Sequence, residues 1–124
     1  MPRTIQTFRD LAVWQRAMQL FSAVTRLVRS LPQSERFVFE TQIRRATLSI
    51  AANIAEGHQR RDLGDYLRHL SYARGSVAEV ETHLHAIVDS MPAARQDVDT
   101  ALGLADEVGR MLTVLNAKLR QRRG

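Results

Sequence analysis

The sequence predicts an all-α protein that folds as an up-down-up-down four-helix bundle, with a single domain over residues 1–124. Apolar residues recur at alternating spacings of three and four along most of the chain. Aromatic residues make up only 6%, and most of the remaining apolar residues are Leu, Ala, Val, Ile and Met, which suit helices better than strands. Because the links between the apolar stripes are short, consecutive helices are expected to run antiparallel.

The first two helices are predicted on either side of Pro32. Residues 11–31 form the first, with the apolar stripe Trp14, Ala17, Phe21, Val24, Val28 and Leu31. Residues 35–56 form the second, with Ser34 as N-cap and Gly57 marking the end. The stripe of the second helix is Phe39, Ile43, Ala46, Ile50 and Ile54.

The last two helices are predicted on either side of Pro92, which closes one and opens the other. Residues 62–91 form the third helix, with the stripe Leu63, Tyr66, Leu70, Ala73, Val77, Val80, Leu84, Ile87 and Met91. Residues 93–122 form the fourth, with the stripe Val98, Ala101, Ala105, Val108, Leu112, Leu115 and Leu119. The four stripes together are expected to form the core.

The second helix has a further face that is small and weakly polar, where a solvent-facing helix normally carries Lys and Glu. This face is Thr41, Leu48, Ser49, Ala52 and Ala55. The third helix has a similar set in Ser71, Gly75, Ala78 and Thr82, and a mid-helix glycine is costly unless close packing requires it. These faces are expected to pack on another helix of the chain or on another subunit. A subunit interface would use Leu48, Ala52, Ala55 and Gly75.

The composition indicates a cytoplasmic protein with no membrane span, because no run of about 18 apolar residues occurs. The absence of cysteine excludes disulfides and a thiol nucleophile. The net charge of +5 is unevenly distributed. Residues 1–78 are rich in arginine, residues 79–107 are acidic, and the chain beyond them is basic.

Three segments together resemble a known family. They are the stretch from Phe8 to Ala17, the stretch from Gln42 to Gly57 with its Asn-Ile-Ala-Glu-Gly block, and Ala73-Arg74-Gly75-Ser76 followed by Glu79. They resemble the four-helix-bundle proteins encoded in intervening sequences of 23S ribosomal RNA genes, to which accessory proteins of diversity-generating retroelements are related. The resemblance runs from about Phe8 to Ile87. This sequence departs from the common pattern at Ala51-Ala52, where proline is frequent, and at His69, where an aromatic residue is usual.

The resemblance implies a ring-like homo-oligomer, a homopentamer, with a basic surface and no catalytic activity. It also implies association with RNA or DNA, or with a ribonucleoprotein and a protein partner such as a reverse transcriptase.

Two groups of basic residues are candidates for nucleic-acid binding. Around the turn before the third helix these are Arg44, Arg45, Arg60, Arg61 and Arg68, and in the tail they are Lys118, Arg120, Arg122 and Arg123. The free N–H groups at the start of a helix also favour an anion there. The alternative is a solvated surface with ion pairs to Asp62 and Asp65, and a tail that serves solubility. No aromatic residue is interleaved with the tail, so base stacking has no platform in that segment.

A structural network is predicted from Asn53, Glu56, Arg74 and Glu81, because Arg74 and Glu81 lie near the apolar stripe of the third helix. Glu56 lies near the predicted end of its helix, where the dipole disfavours an anion, so Arg45 or Arg74 is expected to compensate it.

A metal site and an enzyme are not expected. Glu79 with His83 and Glu81 with His85 are i, i+4 pairs on different faces, and a di-metal bundle would need a Glu-x-x-His pair on two helices. No serine lies in a nucleophile elbow, so neither catalysis nor a cofactor is predicted. Two functions stay open: a nucleic-acid-binding oligomer, and a protein-interaction scaffold that does not bind nucleic acid.

Overall fold

A computed structural model describes residues 4–123, without the side chain of Arg123. Its long helices are α1 (Ala12–Ser30), α2 (Gln33–Gln59), α3 (Leu63–Ser90) and α4 (Arg95–Arg123). Short 3-10 helices, Phe8–Asp10 and Pro92–Ala94, precede α1 and α4. No strand occurs between residues 4 and 123, and the predicted all-α class is confirmed.

The four helices follow one another around the bundle. Each helix packs on the next one in the chain, and α4 packs back on α1. Because the connections are short, neighbouring helices are antiparallel, as the sequence predicts. Consequently α1 and α3 begin, and α2 and α4 finish, at the same end of the bundle. We call this the tail end, because the last residues of the chain lie there.

The core follows the predicted stripes in α2, α3 and α4, with a change in α1. Val13, Leu20 and Leu27 are buried in α1, whereas Trp14 and Phe21 lie half-buried at the edge of the core. The buried stripe of α1 is wider than predicted because α1 packs on both α2 and α4. Within the described part of the chain, no helix combines the length and apolar character needed to cross a bilayer.

The link between α1 and α2 is shorter than predicted. α2 begins at Gln33, so Ser34 lies inside its first turn and is not the N-cap. Pro32 takes that position, and its carbonyl accepts a hydrogen bond from the Arg36 N–H at 2.9 Å. A proline at this boundary has a fixed φ that suits the helix start and needs no side-chain cap.

Gly57 does not end α2, which continues for two more residues to Gln59. Gly57 is buried where α3 crosses closely. A Cβ atom added to it would lie 2.8 Å from the Cβ of His69 and 3.0 Å from Cδ1 of Tyr66. The glycine therefore allows α2 and α3 to pack closely. The helix ends at Gln59, because the backbone of Arg60 is extended.

The remaining helix boundaries are set by a cap and a proline. Asp62 is the N-cap of α3, and its carboxylate accepts a hydrogen bond from the Asp65 N–H at 2.9 Å. Pro92 opens a 3-10 turn instead of the predicted fourth helix, so α4 starts at Arg95.

Candidate nucleic-acid interface at the tail end

The fold brings the two predicted basic groups together at the tail end. The turn between α2 and α3 supplies Arg60 and Arg61, and the end of α4 supplies Lys118, Arg120 and Arg122. Arg122 is close enough to Tyr66 of α3 to affect its ionisation. Burial of the Tyr66 ring raises the pKa of its hydroxyl, and the positive charge of Arg122 opposes that rise. The side chain of Arg123 lies outside the described residues.

The acidic side chains at this end are engaged in capping or ion pairs. Asp62 caps α3, and Asp65 lies 2.8 Å from Arg68. Asp10 accepts hydrogen bonds from the N–H groups of Gln6 and Thr7, at 2.9 and 3.1 Å. These carboxylates therefore hold local structure and leave much of the basic surface uncompensated.

Glu56 is compensated by neighbours that the sequence pattern did not indicate. Arg60 donates a hydrogen bond to its carboxylate at 2.9 Å, and Nε2 of His69 lies 3.5 Å from the same oxygen. The hydrogen bond from Arg60, followed by the charge of His69, lowers the pKa of Glu56. The predicted partners, Arg45 and Arg74, are wrong because α2 extends one turn further and places Arg60 beside Glu56.

Three of the predicted cations at the tail end make neither a hydrogen bond nor an ion pair within residues 4–122. These are Arg61, Lys118 and Arg122, all exposed to solvent. Arg120 donates a hydrogen bond at 2.7 Å to the amide oxygen of Asn116, which carries no charge. These four side chains form what we call the free cation group.

Arg44 and Arg45 do not belong to this surface. They lie in the middle of α2, and Arg45 is about 22 Å from Arg60 along the helix axis at 1.5 Å per residue. Arg44 lies 3.6 Å from Glu40 and stacks over the ring of Phe21, with 5.5 Å to its centroid. The basic patch around the turn is therefore smaller than predicted, because it lacks Arg44 and Arg45. The cations of the tail lie at the same end of the bundle and extend this patch.

The four residues of the predicted network do not form one network. Asn53 donates hydrogen bonds to the carbonyl and hydroxyl of Ser49, and that hydroxyl lies 3.0 Å from the hydroxyl of Ser76. Arg74 is exposed and Glu81 is half-buried along an open groove between α3 and α4, on the other side of α3. The prediction of one network is wrong because Arg74 is exposed at this groove, away from Asn53 and Glu56.

The predicted interface residues face outward. Leu48 is 46% exposed, and Ala52 is also exposed while Ala55 is half-buried. Phe37, which the predicted stripes leave out, is 89% exposed in the first turns of α2. A Cβ atom added to Gly75 would meet nothing within 4 Å. Leu48, Ala52 and Gly75 are thus not covered by another helix among the described residues, whereas Ser49 of the same α2 face lies against Ser76 of α3.

The histidines do not converge on a metal site. Nε2 of His83 lies 3.5 Å from Glu79, while His85 is exposed on another face of α3. Among residues 4–122, no three side chains of His, Asp or Glu are grouped so that they could hold an ion.

Comparison with known proteins gives the family of the chain. Residues 9–114 match the family described as 23S rRNA-intervening sequence protein. The chain belongs to this family. The match ends before Lys118, so the tail that completes the basic surface lies beyond the part by which the family is recognised.

A solved structure from Bacteroides thetaiotaomicron VPI-5482 has the same fold as this family member. It is described as a protein with unknown function from the S23 ribosomal protein family, and it is 22% identical in sequence. The two superpose with a TM-score of 0.77 over 85% of this chain and 98% of that one. The sequence matches none of the curated proteins with which it was compared.

Proposed function

We propose that this member of the 23S rRNA-intervening sequence protein family is a non-catalytic, cytoplasmic, homo-oligomeric bundle that binds nucleic acid or helps to assemble a ribonucleoprotein. The observation that carries the proposal is the meeting of the α2–α3 turn and the α4 tail at one end of the bundle. Residues about 60 positions apart in the sequence thereby contribute to one basic surface.

The free cation group suits a polyanion better than a folded protein surface. Its side chains are exposed and form no ion pair with the described residues, so phosphates can approach without breaking one. Arginine also presents a planar set of donors that matches phosphate oxygens. Because such contacts are made to the phosphate backbone of the nucleic acid, the affinity should depend strongly on salt and only weakly on base sequence.

Charge reversal at Arg61 tests the proposal. Arg61→Glu should weaken binding to a labelled oligonucleotide and reduce the salt slope by roughly 0.7–0.9 in log K per log salt for each phosphate that is no longer neutralised. Fluorescence anisotropy at several salt concentrations measures both quantities. Arg29→Glu is the matched control, because Arg29 is equally exposed but lies at the end of α1 that is far from the tail end. Equal effects of the two substitutions, or absence of binding by the intact protein at low salt, would contradict the proposal.

A protein-interaction scaffold is the second candidate function, favoured by the exposed face of α2. Phe37 and Leu48 on this face are large apolar residues that solvent-exposed helices seldom carry together. Under this alternative the arginines serve solubility, and nucleic acid would not bind. The two candidates share the homo-oligomer, so binding of nucleic acid is what separates them.

A further inference from the structure

Two aromatic rings lie beside the basic surface at the tail end. His58 is in the last turn of α2, and Tyr66 is near the start of α3. Their ring centroids are 6.0 Å apart, and the planes are inclined by 89°, which is an edge-to-face arrangement. Both residues are half-buried, so neither is sealed inside the core.

The rings are held in place by the close contact of their two helices. Gly57, next to His58, has no room for a Cβ atom against Tyr66 and His69. Across the same contact, His69 lies 3.5 Å from Glu56 and its Nδ1 is 2.8 Å from the Asp65 carbonyl. The close contact therefore restricts the position of the Tyr66 ring before any ligand arrives, which reduces the entropy lost on binding.

Cations flank the aromatic pair from two different segments. Arg61 lies in the turn that joins the two helices, and Arg122 is in the last turn of α4, which packs on α3 and ends at the end of the bundle where α3 begins. The tail has no aromatic residue of its own, but the fold places it beside a ring from α3. Basic side chains around a stacking surface are the arrangement by which proteins hold unpaired nucleotides.

We propose that the tail end binds single-stranded nucleic acid, with an unpaired base against the Tyr66–His58 pair and the neighbouring phosphates on Arg61 and Arg122. This inference rests on the proposed function and specifies its ligand. A duplex keeps its base faces stacked inside the helix, so it can use only the cations. A single strand can use the cations and the rings, so it binds more tightly under the same conditions.

The test compares two forms of one sequence. A labelled single strand of about 12 nucleotides, within the site sizes usual for such proteins, is measured by fluorescence anisotropy against the duplex of the same sequence. The single strand should bind about tenfold or more tightly, because stacking of one base is worth that much. Equal affinity for the two forms would overturn this inference and leave the proposed function standing. Failure of both forms to bind would overturn both.

Substitutions of Tyr66 and His58 test whether their rings cause the preference for single-stranded nucleic acid. Tyr66→Leu should remove most of the advantage of the single strand, while Tyr66→Phe should keep it because the ring is retained. Phe37→Leu is the matched control, since Phe37 is an exposed aromatic residue, 89% accessible, near the start of α2 at the opposite end of the bundle. Circular dichroism checks that each variant is folded, and His58→Ala repeats the test if Tyr66→Leu is not. An undiminished preference in Tyr66→Leu, or in His58→Ala where it replaces that variant, would overturn the assignment.

Discussion

At the scale of single residues, Gly57 joins the fold to the candidate site. It lies next to His58 and to Glu56, which contacts His69 of α3. Of the described glycines whose surroundings are compared, it leaves the least room for an added Cβ atom. A larger residue there would push apart the helices that carry His58 and Tyr66. The absence of a side chain at Gly57 therefore supports both the packing of the bundle and the positions of the two rings at the tail end.

Gly57→Ala should destabilise the protein by about 1–3 kcal/mol, because the added methyl group has no space and must displace a helix. Urea denaturation at fixed protein concentration measures this. Gly103→Ala is the control, since nothing lies within 4 Å of a Cβ at that exposed position of α4. It should stabilise the protein by roughly 0.5–1 kcal/mol through helix propensity. A Gly57→Ala variant as stable as Gly103→Ala would show that the close approach does not exist.

At the scale of elements, α4 combines two separable roles. Leu119 is its last buried residue among those that the structure describes, at 3% exposure, and Arg120 and Arg122 beyond it face solvent. The helix up to Leu119 therefore belongs to the core, while the final turn adds charge to the surface at the tail end.

Two truncations separate these roles. Deleting residues 120–124 should leave stability nearly unchanged and weaken nucleic-acid binding, because residues 120–122 are exposed and include Arg120 and Arg122 of the free cation group. Deleting residues 119–124 should lower the free energy of unfolding by about 2 kcal/mol or more relative to the shorter deletion, because it also removes a buried leucine. Thermal unfolding and anisotropy, measured on both variants, give the two effects. Equal stability of the two variants would mean that Leu119 contributes nothing to the core.

At the scale of the whole molecule, the tail end and the outer face of α2 are two surfaces with different chemistry. Its tail end is basic, and the outer face of α2 exposes Phe37 and Leu48, which no other described part of the chain covers. Surfaces of such different chemistry allow one protein to assemble through α2 and bind nucleic acid at the tail end. An assembly of several copies would also multiply a weak site, which raises the effective affinity for a long strand.

Assembly through α2 predicts a mass several times the chain mass of 14.1 kDa. Five subunits are expected from the family resemblance. Size exclusion with light scattering measures the mass, and Ala52→Glu should reduce it by placing a charge on the exposed α2 face. Ala117→Glu is the matched control, an exposed alanine on α4. A monomer at micromolar concentration would contradict assembly. Equal effects of the two substitutions would place the interface elsewhere.

The sequence by itself determined the all-α class, the four helices and most of the core. Periodicity suffices for this, because burying an apolar stripe and ending a helix at a proline depend on nearby residues. The boundaries at Ser34 and Gly57 were wrong, since Pro32 needed no cap from Ser34 and the space beside Gly57 depends on a helix that comes later in the chain.

Only the tertiary structure decided the candidate site. The tail carries no aromatic residue in sequence, yet it lies at the same end of the bundle as Tyr66, because antiparallel packing brings the end of α4 beside the start of α3. Likewise Arg44 and Arg45, neighbours of the turn in the predicted patch, are separated from it by the length of a helix. Local sequence records which side chains are available. Their distances across the bundle follow from helix length, direction and packing, which involve the whole chain at once.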